Sequence, residues 1–286
     1  MSNISKDISK ELFDKIIIEY RDNNMSLRKI QEKHKVNRHI VSKMLEDCGV
    51  KTTKGNHYRT YFHNFDYFET IDSHEKAYWL GFIMADGYIQ RNKGIRHGED
   101  NVGISLHEKD VETLKCFKKA IDATNPIKMY KDKTQQGWIE KGWGNNDLTC
   151  RILLRSQKTA DDLMDKGVIY NKSLTKEFPS KDKLPQEFIY SYLRGYMDGN
   201  GYIYVKENKT QINSAFLTFS SSESFVKSLA KFGDGRVAKD NRSNGWTVSF
   251  NKENSEMLLD KIYEHSTEET RMARKYEKYK ECKNDE

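Results

Sequence analysis

One stretch occurs twice in this sequence, and it limits what the chain can become. The first copy reads Trp79-Leu80-Gly81-Phe82-Ile83-Met84-Ala85-Asp86-Gly87-Tyr88-Ile89, the second Tyr192-Leu193-Arg194-Gly195-Tyr196-Met197-Asp198-Gly199-Asn200-Gly201-Tyr202-Ile203. Each has the composition of an apolar helix with small residues four apart, Gly81 and Ala85 in one, Gly195 and Gly199 in the other. Residues at that spacing share a helix face, so each helix carries a smooth stripe against which a second backbone can lie. Each copy then stops at glycine and passes into a strand-like Tyr-Ile. At the stop the copies differ, with Asp86 in the first and Asn200 in the second.

The elements after each copy repeat as well, so the internal repeat decides the architecture. After the first helix (Ser73 to Asp86), strands are expected at Tyr88–Arg91 and Asn101–Leu106. A helix follows over Asp110–Ile121, then strands at Ile127–Lys131 and Leu148–Leu154 around a loop with Trp138 and Trp143, and a helix over Thr159–Lys166. After the second helix (Gln186 to Gly199) come strands at Tyr202–Lys206 and Ile212–Phe219 and a helix holding Phe225, Leu229 and Phe232. Strands at Arg236–Lys239 and Thr247–Phe250 and a helix with Met257, Leu258 and Ile262 complete it. The order is helix, two strands, helix, two strands, helix, twice over. The expected divisions are 65–170 and 186–265 for the repeats, 171–185 for the segment joining them, and 266–286 for a charged tail, weakly packed or reaching toward a partner through Arg271, Arg274 and Lys275.

Residues 1–50 read differently. Ile8–Arg21 has helical periodicity with Ser9 as a cap. Ser26 caps a short helix with Leu27 and Ile30, His34-Lys35-Val36 makes a turn, and Asn37 opens a third helix with Ile40, Val41, Met44 and Leu45 inward. This is a helix-turn-helix pattern, whose outward residues Asn37, Arg38, His39, Ser42 and Lys43 are types that reach base edges and phosphates. From Ser26 to Thr60 there are nine Lys or Arg and three acids, the charge balance of a surface that meets a polyanion; a small helical packing unit with a solvated basic face is the alternative. Residues 51–64, polar and aromatic, read as a linker.

Composition excludes several classes. The formal net charge is +6, with 36% hydrophobic and 32% charged residues, which leaves material for a core and suits a polyanionic partner. No segment has the length of a membrane helix, and the first residues lack a signal-peptide core. Cys48, Cys116, Cys150 and Cys282 are far apart, as cytoplasmic thiols are, and they form no zinc motif.

Both motif copies and the element order resemble the LAGLIDADG homing endonucleases in their single-chain, two-motif form, over roughly residues 74–265. The resemblance implies an α+β fold of two pseudosymmetric αββαββα repeats forming a DNA-binding saddle, here preceded by the small all-α helix-turn-helix domain. It implies a monomer acting in the cytoplasm of a bacterial or phage-infected cell and encoded by an intron or phage. The partner would be double-stranded DNA at a long specific site, and no membrane is involved.

Two helices packed side by side would bring residues 86 and 200 together at their negative dipole ends, where acids repel each other unless cations are present. Hard oxygen ligands there suit Mg²⁺. The resemblance makes Asp86 and Asn200 the catalytic and metal positions, with Gly87 and Gly199 beside them, and Asp198 turned toward its own half. It nominates Lys158 and Lys252, at matched positions opening the last helix of each repeat, as basic groups near the scissile phosphate, and places His107 and Ser220 in the pocket. An amide at 200 brings no charge, so cleavage of one or both strands is expected to be weakened or lost. A DNA-binding regulator without cleavage, and less readily an RNA maturase, are the rival readings; a helix-turn-helix does not enter the deep groove of RNA. Strand alternation makes Tyr88, Gln90, Arg91, Tyr202, Tyr204 and Lys206 the DNA-facing candidates.

Overall fold

The computed structural model describes residues 8–21, 25–50, 60–92, 99–131, 148–170, 172, 175–206, 214–241 and 244–283. The chain divides into two compact units, residues 1–60 and 61–286. No helix among the described residues is long and apolar enough to cross a membrane. The loop with Trp138 and Trp143 lies outside the described residues.

The first unit is three helices: α1 (Lys10–Arg21), α2 (Leu27–His34) and α3 (Arg38–Asp47). Their apolar faces meet in a core of Phe13, Ile16, Tyr20, Ile30, Val36, Val41 and Leu45. Ser26 Oγ accepts the Lys29 amide and Asn37 Oδ1 the His39 amide, which sets the starts of α2 and α3. Between them Lys35 is left-handed at φ 54°, and Val36 anchors the turn in the core. Glu19 of α1 is almost wholly buried and accepts from Lys33 Nζ at 2.8 Å and lies 2.7 Å from His34 Nε2. That pair of contacts ties α1 to α2 and holds the Glu19 carboxyl below its ordinary range.

The second unit begins before the first motif. Phe62 and Thr124 exchange hydrogen bonds, the Asn64 amide donates to Ile121 O at 2.8 Å, and Tyr67 and Phe68 are buried. Residues 61–64, expected in the linker, therefore belong to the core unit; residues 51–59 lie outside the described set. Helix α4 (His74–Asp86) leads to β1 (Gly87–Gln90) and β2 (Asn101–His107), then α5 (Val111–Ala120), β3 (Lys128–Tyr130), β4 (Thr149–Arg155) and α6 (Gln157–Asp165). The second repeat is α7 (Ile189–Asn200), β5 (Gly201–Lys206), β6 (Ser214–Ser221), α8 (Glu223–Ala230), β7 (Arg236–Lys239), β8 (Trp246–Ser249) and α9 (Lys252–Tyr263), and α10 (Ala273–Lys283) follows.

Each repeat makes one antiparallel sheet with the same strand order, β1-β2-β4-β3 and β5-β6-β8-β7. One face of each sheet buries alternate residues, Ile104, Leu106, Cys150, Ile152 and Leu154 in the first, Ile203, Ala215, Leu217, Phe219 and Val248 in the second. Helix α4 is buried on every side from Ala77 to Ala85, as a helix apolar all round must be. It is the centre of the unit, not an amphipathic cover. On α9, Leu258, Leu259 and Ile262 take the core side and Met257 is 42% exposed.

Candidate functional site at the ends of the motif helices

The small-residue stripes hold α4 and α7 against each other. A Cβ added to Gly81 would lie 2.0 Å from Tyr192 O, and one added to Gly195 would lie 1.9 Å from Tyr78 O. Gly81 and Gly195 occupy equivalent positions in the two copies, as do Tyr78 and Tyr192, so the two contacts are the same contact seen from either half. One added to Gly199 would meet Ala85 Cβ at 2.3 Å. No side chain fits between the backbones here, and glycine is required by approach rather than by dihedral.

The crossing brings the two helix ends together. Asp86 is the last residue of α4 and Asn200 the last of α7. A Cβ on Gly199 would stand 3.2 Å from Asp86 Cγ and Oδ2, so the bare glycine leaves the carboxylate a cradle. Burial raises the Asp86 pKa, opposed by the charges of Lys275, Lys172 and Lys176.

Those three lysines come from outside both repeats. Lys172 and Lys176, from the segment joining the halves, donate to Ala85 O at 3.3 and 3.5 Å. Lys176 also donates to the Tyr196 hydroxyl at 3.4 Å, which itself donates to Ser220 O at 3.1 Å. Lys275, on α10, donates to Met197 O, Asp198 O and Gly201 O at 2.6, 2.7 and 2.8 Å. All three are buried, and burial pulls their pKa values down, Lys172 to about 7 and Lys176 and Lys275 to about 8. The tail is therefore not weakly packed. Arg274 grips Asp110 through two bonds of 2.9 and 3.2 Å, and Arg271 stacks 3.7 Å over Tyr276.

Asp198 does not turn to its own half alone. Its Oδ2 accepts the Tyr78 hydroxyl of α4 at 2.9 Å and the Met272 amide at 2.8 Å, and burial pushes its pKa up to about 6. Arg194, fully buried one turn earlier, donates to Thr270 O and Ile262 O, both at 2.7 Å.

Of the two nominated basic residues, Lys158 is held by acids and Lys252 makes a long contact along its own helix. Lys158 bonds Glu69 at 2.9 Å and Asp162 at 3.1 Å, with Asp66 at 3.4 Å, which raises its pKa. Lys252 opens α9 and faces Glu256 at 3.9 Å. His107 caps a 3-10 turn by accepting the Lys109 amide, while Ser220 contributes its carbonyl to the Tyr196 hydroxyl. The matched positions locate the start of the last helix, but nothing in them reveals neighbouring acids.

Among the described residues no group of three His, Cys, Asp or Glu side chains forms a metal cage. The oxygen-bearing side chains at the helix ends are one carboxylate, Asp86, beside the space cleared by Gly199, and one amide, Asn200, which also bonds the Tyr196 hydroxyl. They fit a single hard divalent ion that takes further oxygens from a bound ligand. Gly87 closes α4 with its amide on Ile83 O.

Strand register fixes which residues share the solvent face of each sheet. In the first, Tyr88 pairs with Gly103 and that with Leu153, and Gln90 pairs with Asn101 and that with Arg155. In the second, Tyr202, Thr218, Ser249 and Arg236 lie in one row, and Tyr204 faces Phe216. Tyr202 and Tyr204 are 57% and 50% exposed. Tyr88 lies flat over Gly103, whose added Cβ would meet its ring at 2.3 Å. Arg91 falls beyond β1 and stacks 4.1 Å over Tyr170, away from that row. The backbone of Lys206 pairs with Ser214; its side chain lies outside the described set.

Two αββαββα halves, joined through their first helices and each presenting a four-stranded sheet, define a pseudosymmetric two-repeat protein. No protein-family model matches the sequence, and no curated protein does. Among solved structures, the homing endonuclease I-WcaI bound to its DNA recognition sequence is similar at a TM-score of 0.52 and 12% identity, over 82% of this chain and 97% of that one. LAGLIDADG homing endonuclease I-GzeII in complex with its DNA target gives 0.47 and 13% over 73% and 88%, and LAGLIDADG meganuclease I-AabMI bound to uncleaved DNA gives 0.46 and 14% over 73% and 89%. The core unit has the two-repeat fold of the LAGLIDADG homing endonucleases.

Proposed function

We propose that this chain is a site-specific homing endonuclease that hydrolyses phosphodiester bonds in double-stranded DNA, and that its two halves are unequal catalysts. The observation that carries the reading is the crossing at Gly81 and Gly195, which sets an acid-bearing helix end against an amide-bearing one. The outward rows of the two sheets, with Tyr88, Gln90 and Arg155 in one and Tyr202, Tyr204 and Arg236 in the other, offer aromatic and basic groups to the groove. In the first unit, Arg38, His39 and Lys43 lie on α3, and Arg28, Gln31, Asn37, Arg38 and His39 line a recess at its start together with Glu32, which pairs with Arg28 at 3.0 Å. That arrangement supports a helix-turn-helix that lengthens the recognised site. Asn37 and Ser42 join it less directly, since Asn37 Oδ1 caps α3 and Ser42 bonds Glu46.

Asp86 and the Asn200 amide oxygen would hold Mg²⁺. When bound, that ion supplies charge neutralisation on the phosphate and a more acidic water. Asp86 contributes the anionic ligand, and the neutral Asn200 contributes a weaker one. When protonated, Lys172 and Lys176 place positive charge beside the first motif end, where it opposes the negative helix terminus. A second reading, a sequence-specific regulator without cleavage, is favoured by Asn200 itself.

The test is a supercoiled plasmid carrying a site selected by the chain's own binding, incubated with Mg²⁺. Nicked circles are expected from the unaltered chain and none from Asp86→Asn. Bound but intact plasmid with both proteins would establish the regulator instead. Removing residues 1–60 should shorten the protected footprint, and an unchanged footprint would refute the helix-turn-helix role.

A further inference from the structure

The second motif end is held by an ammonium. Lys275 Nζ lies 2.6, 2.7 and 2.8 Å from three carbonyl oxygens, those of Met197, Asp198 and Gly201. A lysine has three N–H donors, and here each has an acceptor. Met197 and Asp198 belong to the last turn of α7, where Met197 O already accepts the Gly201 amide and Asp198 O lies past the last helical bond, and Gly201 opens β5. The three oxygens therefore span the point where helix becomes strand, around Asn200. The same C-terminal segment fixes the helix twice more, through Met272 N on Asp198 and through Thr270 O and His265 O on Arg194. The first motif end has no such cage among the described residues, since Lys172 and Lys176 meet Ala85 O alone there, and at longer range.

We propose that Lys275 is a positioning residue, a tethered cation that sets the helix-to-strand junction of the second motif from α10 and so makes residues 266–283 part of the catalytic core. The cage is a site for a primary ammonium, and a diffusible one of the same chemistry should enter it when the side chain is removed. The role in stability stands apart from the nuclease reading; only its consequence for cutting rests on that reading.

The experiment uses the full chain with Lys275→Ala. Exposing three buried carbonyls to one another should lower Tm by roughly 8 °C. Propylammonium chloride should restore a saturable part of that loss, and tetramethylammonium chloride at the same ionic strength, which has no N–H, should restore none. Equal recovery in both salts, or an unchanged Tm, overturns the proposal. Should the variant not fold, the unaltered chain decides by ¹⁵N-lysine NMR. One ammonium signal protected from water exchange and absent from Lys275→Arg supports the cage, and its absence from the unaltered chain refutes it. Nicking is a separate readout: an unaltered chain that never nicks argues against the nuclease reading and not against the cage, whereas a variant that recovers Tm without the unaltered chain's nicking overturns the positioning role.

Discussion

The ends of α4 and α7 share a backbone and differ in almost everything attached to it. At the first, Asp86 keeps a carboxylate in a cradle cleared by Gly199, and two lysines from the joining segment reach the adjacent carbonyl. At the second, residue 200 is an amide and Lys275 sits within the turn. The equivalent interior positions diverge in the same sense. Leu80 and Met84 of α4 pack as ordinary apolar core, while Arg194 and Asp198 of α7 are buried ions tied to the C-terminal segment. Pseudosymmetry is kept by what the crossing requires and lost where the crossing requires nothing. A close helix contact constrains the size of a side chain on the stripe, and it places no demand on charge at the tip.

The largest effects should come from the shared part. Gly81→Ala and Gly195→Ala each drive a methyl into a backbone carbonyl, and both should destabilise by about 3 kcal/mol or more, to similar extents. Chemical denaturation of the two variants checks this. A loss confined to one of them would break the equivalence of the halves.

A smaller effect should separate them. Asp198→Ala leaves the Tyr78 hydroxyl and the Met272 amide buried without their acceptor and should destabilise by about 2 kcal/mol. Met84→Leu, at the equivalent position, is a volume-conserving change in an apolar site and should stay under about 1.5 kcal/mol. The same denaturation series measures both, and a reversed order would mean that the buried ions of α7 are not what fixes it.

The smallest effect belongs to the exposed lysines. Lys158→Ala and Lys252→Ala each lose only surface ion pairs and should change stability by under about 1 kcal/mol, while their effect on nicking tests the place proposed for them beside the scissile phosphate. A collapse of activity with stability unchanged would support that place.

The fold was legible because two signals repeat. The apolar motif with its stripe of small residues named the crossing, and the alternation of helix and strand after each copy named the sheets; both sheets have the expected order of elements, with most ends shifted by one or two residues. The helix starts were readable where Ser73, Ser26 and Asn37 supply caps. The charged surroundings of the motif ends were not. Lys172, Lys176 and Lys275 lie outside both motifs and stand among 49 lysines and arginines, so residue type gives no hint of burial. A spacing clue did exist for α10, where Met272, Tyr276 and Tyr279 line one side and pack on the core. A helix with such a stripe is docked, and Lys275 lies beside it. For Asp198 the resemblance pointed to its own half, and nothing in the residue itself reveals its partners Tyr78 and Met272.

The central claim is that one motif end is chemically competent and the other is not. A duplex carrying the selected site, labelled at the 5′ end of each strand in turn, resolves it with Mg²⁺ present. The unaltered chain should cut one strand and leave its partner intact, and Asn200→Asp should cut both. Equal cutting of both strands by the unaltered chain would contradict the claim, as would an Asn200→Asp variant that binds the site and still cuts only one strand.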